Sequence, residues 1–253
     1  MGEGGRGAIR VGVGGWVYEP WRGSFYPKGL PQKEELGFAS RRLTAIEING
    51  TFYRTPGPDT FARWHDETPE GFVFALKAPR YATIRRELAT AGESVERFCT
   101  GGVLALKDKL GPINWQLAPT KKLDLDDIAA FLALLPRSVD GRPLRHALEV
   151  RHSSFQDAAF VALAREHEVA IVVAGDAQHP HIDEPTAPFA YARIMGTTEA
   201  EPAGYPDADL DRWAGWARER ATDGRPRDVF LFVIGGHKVA NPAAAQALIE
   251  RVA

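Results

Sequence analysis

The sequence predicts an α/β protein of the (β/α)8, TIM-type class: eight parallel strands closed into a barrel, with helices outside. Two observations carry that prediction. Eight short apolar runs bounded by turn residues recur along the chain, and such runs, rich in β-branched and aromatic residues, are the mark of buried parallel strands. Amphipathic stretches separate most of them, and β–α alternation implies a parallel sheet covered by helices. Eight such units in 253 residues favour a closed barrel over an open doubly wound sheet. Residues 1–253 read as a single domain, because the chain is long enough for one large core and no linker, internal repeat or low-complexity tract divides it.

The strand-like runs are Ile9–Val13, Thr44–Ile48, Phe72–Leu76, Ile113–Leu117, Ala147–Val150, Val169–Val173, Phe189–Ile194 and Val229–Ile234. After the first, Pro31 to Arg41 sets Leu36 and Ala39 at helical spacing. After the second, Pro58-Asp59 opens a short helix carrying Phe61 and Trp64. Cys99, after the third, lies in a region that reads as helical. Asp124 to Leu135 starts with acidic residues, which the positive end of a helix dipole favours, and ends at Pro136. Its apolar face is Ile128, Phe131, Leu132 and Leu135. Asp157 to His167 repeats the pattern with Phe160, Leu163 and Ala164, and Asp207 to Arg220 gathers Leu210, Trp213, Ala214 and Ala217. Asn241-Pro242 predicts an N-cap followed by proline at the first helical position, before Ala245, Leu248 and Ile249. Between the sixth and seventh runs, 176–188 holds three prolines and no room for a helix, so an irregular crossover is expected there.

Side chains alternate faces along a strand, so parity sorts each run into inward and outward positions. In Ala45-Ile46-Glu47-Ile48-Asn49 the isoleucines share one face and Glu47 and Asn49 the other. Leu148 and Val150 likewise face helices, which turns Glu149 and Arg151 inward. Lys77 closes strand three, Gln116 closes strand four, Asp176 follows strand six and Arg193 lies near the end of strand seven. Polar groups thus collect at the carboxyl ends of six strands, the end where these barrels carry their sites. Three cations, Lys77, Arg151 and Arg193, suit an anionic ligand, phosphate or carboxylate. The carboxylates Glu47, Glu149 and Asp176 are candidates, with Lys77, for the catalytic groups. Ion pairs that merely fill the barrel mouth are the competing explanation for the same residues.

Loops add to the set. Gly235-Gly236-His237 follows strand eight just before a helix, where such barrels often hold a phosphate, although glycines also serve simply to ease a strand-to-helix turn. Trp16 and Tyr53, near the ends of strands one and two, are the aromatic residues most suited to line the mouth. His179 and His181, with Asp176 and Asp183, have the spacing of a possible metal site, but solvated loop histidines are commoner and no metal is assigned. Gly12-Val13-Gly14-Gly15-Trp16-Val17 lacks the third glycine of a dinucleotide fingerprint, so no cofactor is expected. The balance of 31 Lys+Arg against 33 Asp+Glu offers no basic excess for nucleic acid. One cysteine cannot form an internal disulfide, no apolar run spans a bilayer, and Met1–Gly7 has no apolar core of a secretory signal. A cytoplasmic, membrane-free protein with a small-molecule partner is the expectation; oligomeric state is not readable.

Several segments taken together resemble the YecE-like family (domain of unknown function 72). They are Gly14-Gly15-Trp16-Val17-Tyr18 with Trp21 and Phe25-Tyr26-Pro27, Glu47-Ile48-Asn49-Gly50-Thr51-Phe52-Tyr53, Phe74-Ala75-Leu76-Lys77-Ala78-Pro79-Arg80, Gln116-Leu117-Ala118-Pro119 and Glu149-Val150-Arg151-His152. The resemblance runs in order through nearly the whole chain. It implies a (β/α)8 barrel similar to those of endonuclease IV and xylose isomerase, and it implies no activity. The chain departs from the family's pattern late: Met195 stands where members often carry a histidine, and Gly235-Gly236 where they carry an asparagine pair. Three readings follow. The first is a small-molecule enzyme or binder with an anionic ligand at the mouth. A divalent-metal-dependent hydrolase or isomerase is the second, disfavoured by the interleaved cations. A non-enzymatic binding protein is the third.

Overall fold

A computed structural model of the chain describes residues 6–175, 178–222 and 227–253. The barrel strands are β1 (Ile9–Gly14), β2 (Ala45–Ile48), β3 (Val73–Lys77), β4 (Leu110–Gln116), β5 (His146–Glu149), β6 (Ala170–Ile171 and Val173–Gly175), β7 (Phe189–Ile194) and β8 (Asp228–Val233). All neighbours are parallel, in the order β6-β5-β4-β3-β2-β1-β8-β7-β6. The ring closes through β6, whose first half pairs with β5 and whose second half pairs with β7 across the break at Val172. The sequence predicts one continuous run here. The break lets one short strand serve two neighbours that diverge with the barrel's curvature. An antiparallel ribbon, Ser138–Val139 with Arg142–Pro143, precedes β5 and forms a second, two-stranded sheet outside the ring.

The helices are α1 (Glu35–Ser40), α2 (Pro58–Glu67), α3 (Arg80–Thr83), α4 (Gly92–Thr100), α5 (Leu125–Ala133), α6 (Ala158–Glu166), α7 (Asp207–Thr222) and α8 (Asn241–Val252). The acidic residues read at two helix starts serve as caps. Asp124 accepts the Asp127 amide at 3.2 Å, and Asp157 accepts the Ala159 amide at 2.7 Å. The one N-cap predicted needs correction: Asn241 is not an N-cap. It lies buried in the first turn of α8, where its Oδ1 accepts the Thr197 hydroxyl at 2.7 Å. Residues 178–188 form no helix between β6 and β7, as their prolines require.

Two apolar layers follow from strand alternation. Val11, Val13, Ile46, Ile48, Leu148 and Val150 face outward into a large core shared with helix residues such as Phe131, Phe160 and Leu248. Ala45, Ala75, Ala147 and Ala170 face inward against Phe189, Tyr191, Phe230 and Phe232. The interior is therefore filled unevenly, with aromatic rings from β7 and β8 meeting alanines from the opposite strands. Small residues on that far side leave room above the rings for long polar side chains from β7 to cross the barrel.

Candidate functional site

Parity places Tyr191 and Arg193 on the inward face of β7, and Arg193 crosses to two strands at once. Its Nη1 donates to both Glu149 oxygens at 2.9 and 2.8 Å, and its Nη2 donates to Glu47 Oε2 at 3.1 Å. Glu47 also accepts the Tyr191 hydroxyl at 2.6 Å. Glu149 sits beside Gln116 in the β4–β5 register and takes its amide at 2.8 Å, together with Asn114 Nδ2 at 3.0 Å. Arg151 closes the set from above, its Nε and Nη2 donating to Glu149 Oε1 at 2.9 and 2.8 Å.

Beneath Arg151 this network is sealed. Glu47 is fully buried and Arg193 is 3% exposed. Burial by itself raises the Glu149 carboxyl, but Arg193, Arg151 and the two side-chain amides outweigh it and hold the group at about 2. A carboxyl so held carries no proton at neutral pH and cannot act as a general acid there. Burial likewise opposes the Arg193 charge, and Glu149 and Glu47 overcome it, so the guanidinium is more firmly protonated than usual.

Lys77 differs from Glu47, Glu149, Arg151 and Arg193. It ends β3, beside Asn114 in register, and is half-buried. Its Nζ lies 4.4 Å from the centre of the Phe52 ring and makes no hydrogen bond or ion pair among the described residues. Burial first, and then the charge of Arg193, pulls its ionisation down to about 8 against the opposing pull of Glu149 and Glu47. The loop that brings Phe52 over it is pinned by the Thr51 hydroxyl, which stands 2.8 Å from the Ile48 carbonyl and 2.6 Å from the Lys77 carbonyl.

The structure thus assembles Glu47, Lys77, Gln116, Glu149, Arg151 and Arg193 at one end of the barrel. Asn49 joins them at the rim: a Cβ on Gly14 would stand 2.6 Å from its Nδ2, so the amide lies directly over that glycine. Asp176 lies outside the described residues. Trp16 turns away from the mouth and packs edge-on against Trp64 of α2 at 5.0 Å, on the helix side of the barrel. Tyr53 is 73% exposed with its ring edge against Phe52, and Phe52 is the ring that meets Lys77.

Gly235 and Gly236 hold φ of +74° and +62°, and Gly236 lies against the Thr197 backbone, where a Cβ would stand 2.5 Å from the amide nitrogen. The His237 amide donates to the Thr197 carbonyl at 2.7 Å. These three residues knit the loops after β7 and β8 together. The cavity beside the start of α8 is lined by His237, Glu199 and Glu201 and by no lysine or arginine, which is a poor cradle for an anion. Asp183 accepts from Trp216 and Arg220 and is committed to α7, and His181 Nδ1 lies 2.9 Å from the Ala174 carbonyl. Among the described residues no three metal-ligating side chains converge. Asn114, Tyr191 and Phe52 belong to the site and were not singled out in sequence. Parity carried the signal for two of them, since Asn114 shares a face with Gln116, and Tyr191 with Arg193.

A parallel (β/α)8 barrel with a buried arginine–carboxylate network under a polar mouth is the class that fold and site define. Residues 10–253 match the family model described as "Protein of unknown function DUF72", and the chain belongs to that family. It is 27% identical over 148 residues to the UPF0759 protein YecE of Escherichia coli K12, covering 58% of this chain and 50% of that protein. The chain thus matches half the length of that curated relative. A solved DUF72 family protein from Thermotoga maritima superposes with a TM-score of 0.74 at 23% identity, covering 96% of this chain and 97% of the other. One from Enterococcus faecalis gives 0.71 at 16% identity, covering 99% and 98%. These two likenesses concern the fold. Among the described residues no helix is long and apolar enough to cross a membrane.

Proposed function

We propose that the protein binds a small anionic molecule, phosphate- or carboxylate-bearing, at the carboxyl end of its barrel, with Lys77 and Arg151 as the groups that meet it. One observation carries the reading: the guanidiniums of Arg193 and Arg151 balance Glu47 and Glu149, which leaves Lys77 as a half-buried cation with no ion pair among the described residues of the mouth. A half-desolvated cation without a counter-ion is an unfavourable resident, and an incoming anion relieves it. The surrounding loops support the same sign. Arg54, Arg80, Arg86 and Lys122 are exposed on the segments after β2, β3 and β4, against Glu87 and the helix-capping Asp124. With a chain charge of -2 this positive sector is local, which suits steering of a small ligand. Glu47 and Glu149 then act by fixing the arginines rather than by moving protons.

The test is thermal unfolding in the presence of phosphorylated and carboxylated metabolites, with and without added divalent metal. A compound that raises the midpoint of the native chain should do so far less in Lys77→Met. If no anion shifts it, or if the shift is unchanged in that variant, the reading fails. A shift that requires metal would favour a metal-dependent hydrolase or isomerase instead.

A further inference from the structure

We infer that Lys77 is a nucleophile, whose Nζ adds to the carbonyl carbon of an anionic aldehyde or ketone held in the mouth and forms an imine with it. The inference rests on the reading that the mouth takes an anion, and it narrows that anion to the 2-oxo acids and phosphorylated carbonyl compounds. Three features of the structure support it. Lys77 ends a barrel strand and reaches the accessible rim, while the charged network beneath it is sealed. Both neighbouring carboxylates, which would otherwise clamp and protonate a lysine, are occupied by Arg193 and Arg151. The Nζ rests over the Phe52 ring instead of on an acceptor, so no hydrogen bond must be broken before it attacks.

Desolvation and a neighbouring cation are the two devices that make a lysine amine nucleophilic near neutral pH, and both act here, bringing Lys77 to about 8. Arg151, which uses only Nε and Nη2 on Glu149, has Nη1 available for the ligand's anionic group. The chemistry balances without any further reagent. The neutral amine adds to the carbonyl, the C–O bond of the resulting carbinolamine breaks, and both amine protons leave with that oxygen as water. Hydrolysis of the imine reverses the sequence.

The experiment treats the whole chain with glyoxylate, the smallest 2-oxo acid, adds borohydride to reduce any imine, and maps the modified lysines by mass spectrometry. Glycolate, an anion of nearly the same size without the carbonyl, serves as the comparison in thermal unfolding. The expected result is an adduct at Lys77 formed at least about tenfold faster than at the exposed Lys122, given the larger neutral fraction of an amine held near 8. In Lys77→Arg, which keeps the charge, the glycolate shift should persist while the adduct disappears. Binding of both anions with no preferential adduct at Lys77 overturns the nucleophile and leaves anion binding standing. An adduct at Lys77 without any glycolate shift supports the nucleophile and removes the anion reading. Neither shift nor adduct overturns both. The adduct is read on the native chain, so it does not depend on a variant folding.

Discussion

Tyr191 donates its hydroxyl hydrogen to Glu47 Oε1 across the barrel at 2.6 Å, from the same inward face of β7 that carries Arg193. Two residues of one strand thus share one carboxylate on the far side. Burial, then Glu47, pushes the Tyr191 phenol well above its ordinary range, so it remains a donor at any ordinary pH. Tyr191→Phe should destabilise the fold by about 1.5–3 kcal/mol, the cost of losing a buried hydrogen bond to a charged group. Urea unfolding measures it; a change within error would show that Arg193 alone suffices for Glu47.

Arg193 is the centre of the network. Arg193→Met strands the buried Glu47 without a cation, leaves Glu149 to Arg151 alone, and should cost about 3–5 kcal/mol. Adding Glu47→Gln to that variant should restore part of the loss, because the uncompensated charge is then gone. Two effects that simply add would count against a shared network.

His146 makes the fold sensitive to acid. Its Nδ1 accepts from Trp115 Nε1 at 3.0 Å and its Nε2 donates to the Pro136 carbonyl at 2.8 Å, so the ring is held neutral. Burial lowers its ionisation from 6.5 to about 4, although the Pro136 carbonyl opposes this. The unfolded chain therefore binds this proton first. Stability is complete above about 6.5 and declines as the pH falls toward about 4, by roughly 2 kcal/mol between about pH 8 and pH 5. His146→Gln, which keeps one donor and one acceptor, should flatten that slope in unfolding measured at both pH values. Glu149 acts lower, between 4.5 and about 2, so the two effects separate.

Lys77 works in the alkaline range. Its amine is lowered to about 8 in the fold against 10.5 for the ordinary group, so between those values the unfolded chain holds the extra proton and stability rises with pH. Lys77→Met should be at least as stable as the native chain at neutral pH and should lack that alkaline rise. A destabilised variant would show that Nζ has a partner in solution.

Gly236 and Gly235 should respond differently to alanine. Both hold left-handed backbone, which costs an L-residue about 1–2 kcal/mol. At Gly235 the nearest obstacle is Met195 Cγ at 3.6 Å, whereas at Gly236 three Thr197 atoms lie within 2.6 Å. Gly236→Ala should therefore unfold at a clearly lower midpoint than Gly235→Ala.

Much of this protein was legible before folding. The eight apolar runs matched the barrel strands within a few residues, and the split of Glu47 from Ile46 and Ile48, or of Glu149 from Leu148 and Val150, followed from strand parity alone. The acidic starts at Asp124 and Asp157 were legible too, and their capping bonds are local, because a cap needs only an oxygen at the right place in the chain. Asn241 misled because its composition suits a cap, yet Thr197, 44 residues earlier, offered its side chain a buried partner. Trp16 misled for a similar reason: nearness to a strand end in sequence does not say which side of the barrel an aromatic side chain will cover.

The sequence by itself determined the order of elements, the inward face of each strand and the gathering of charge at one end, since these depend on periods of two and near four along the chain. Tertiary structure alone decided how those charges pair. Arg193 meets carboxylates 44 and 146 positions away, and Lys77 pairs with no carboxylate among the described residues, because partners in a closed barrel are chosen by strand order, register and the room left above opposing alanines. Which cation is sealed and which stands open at the rim is a property of that closure.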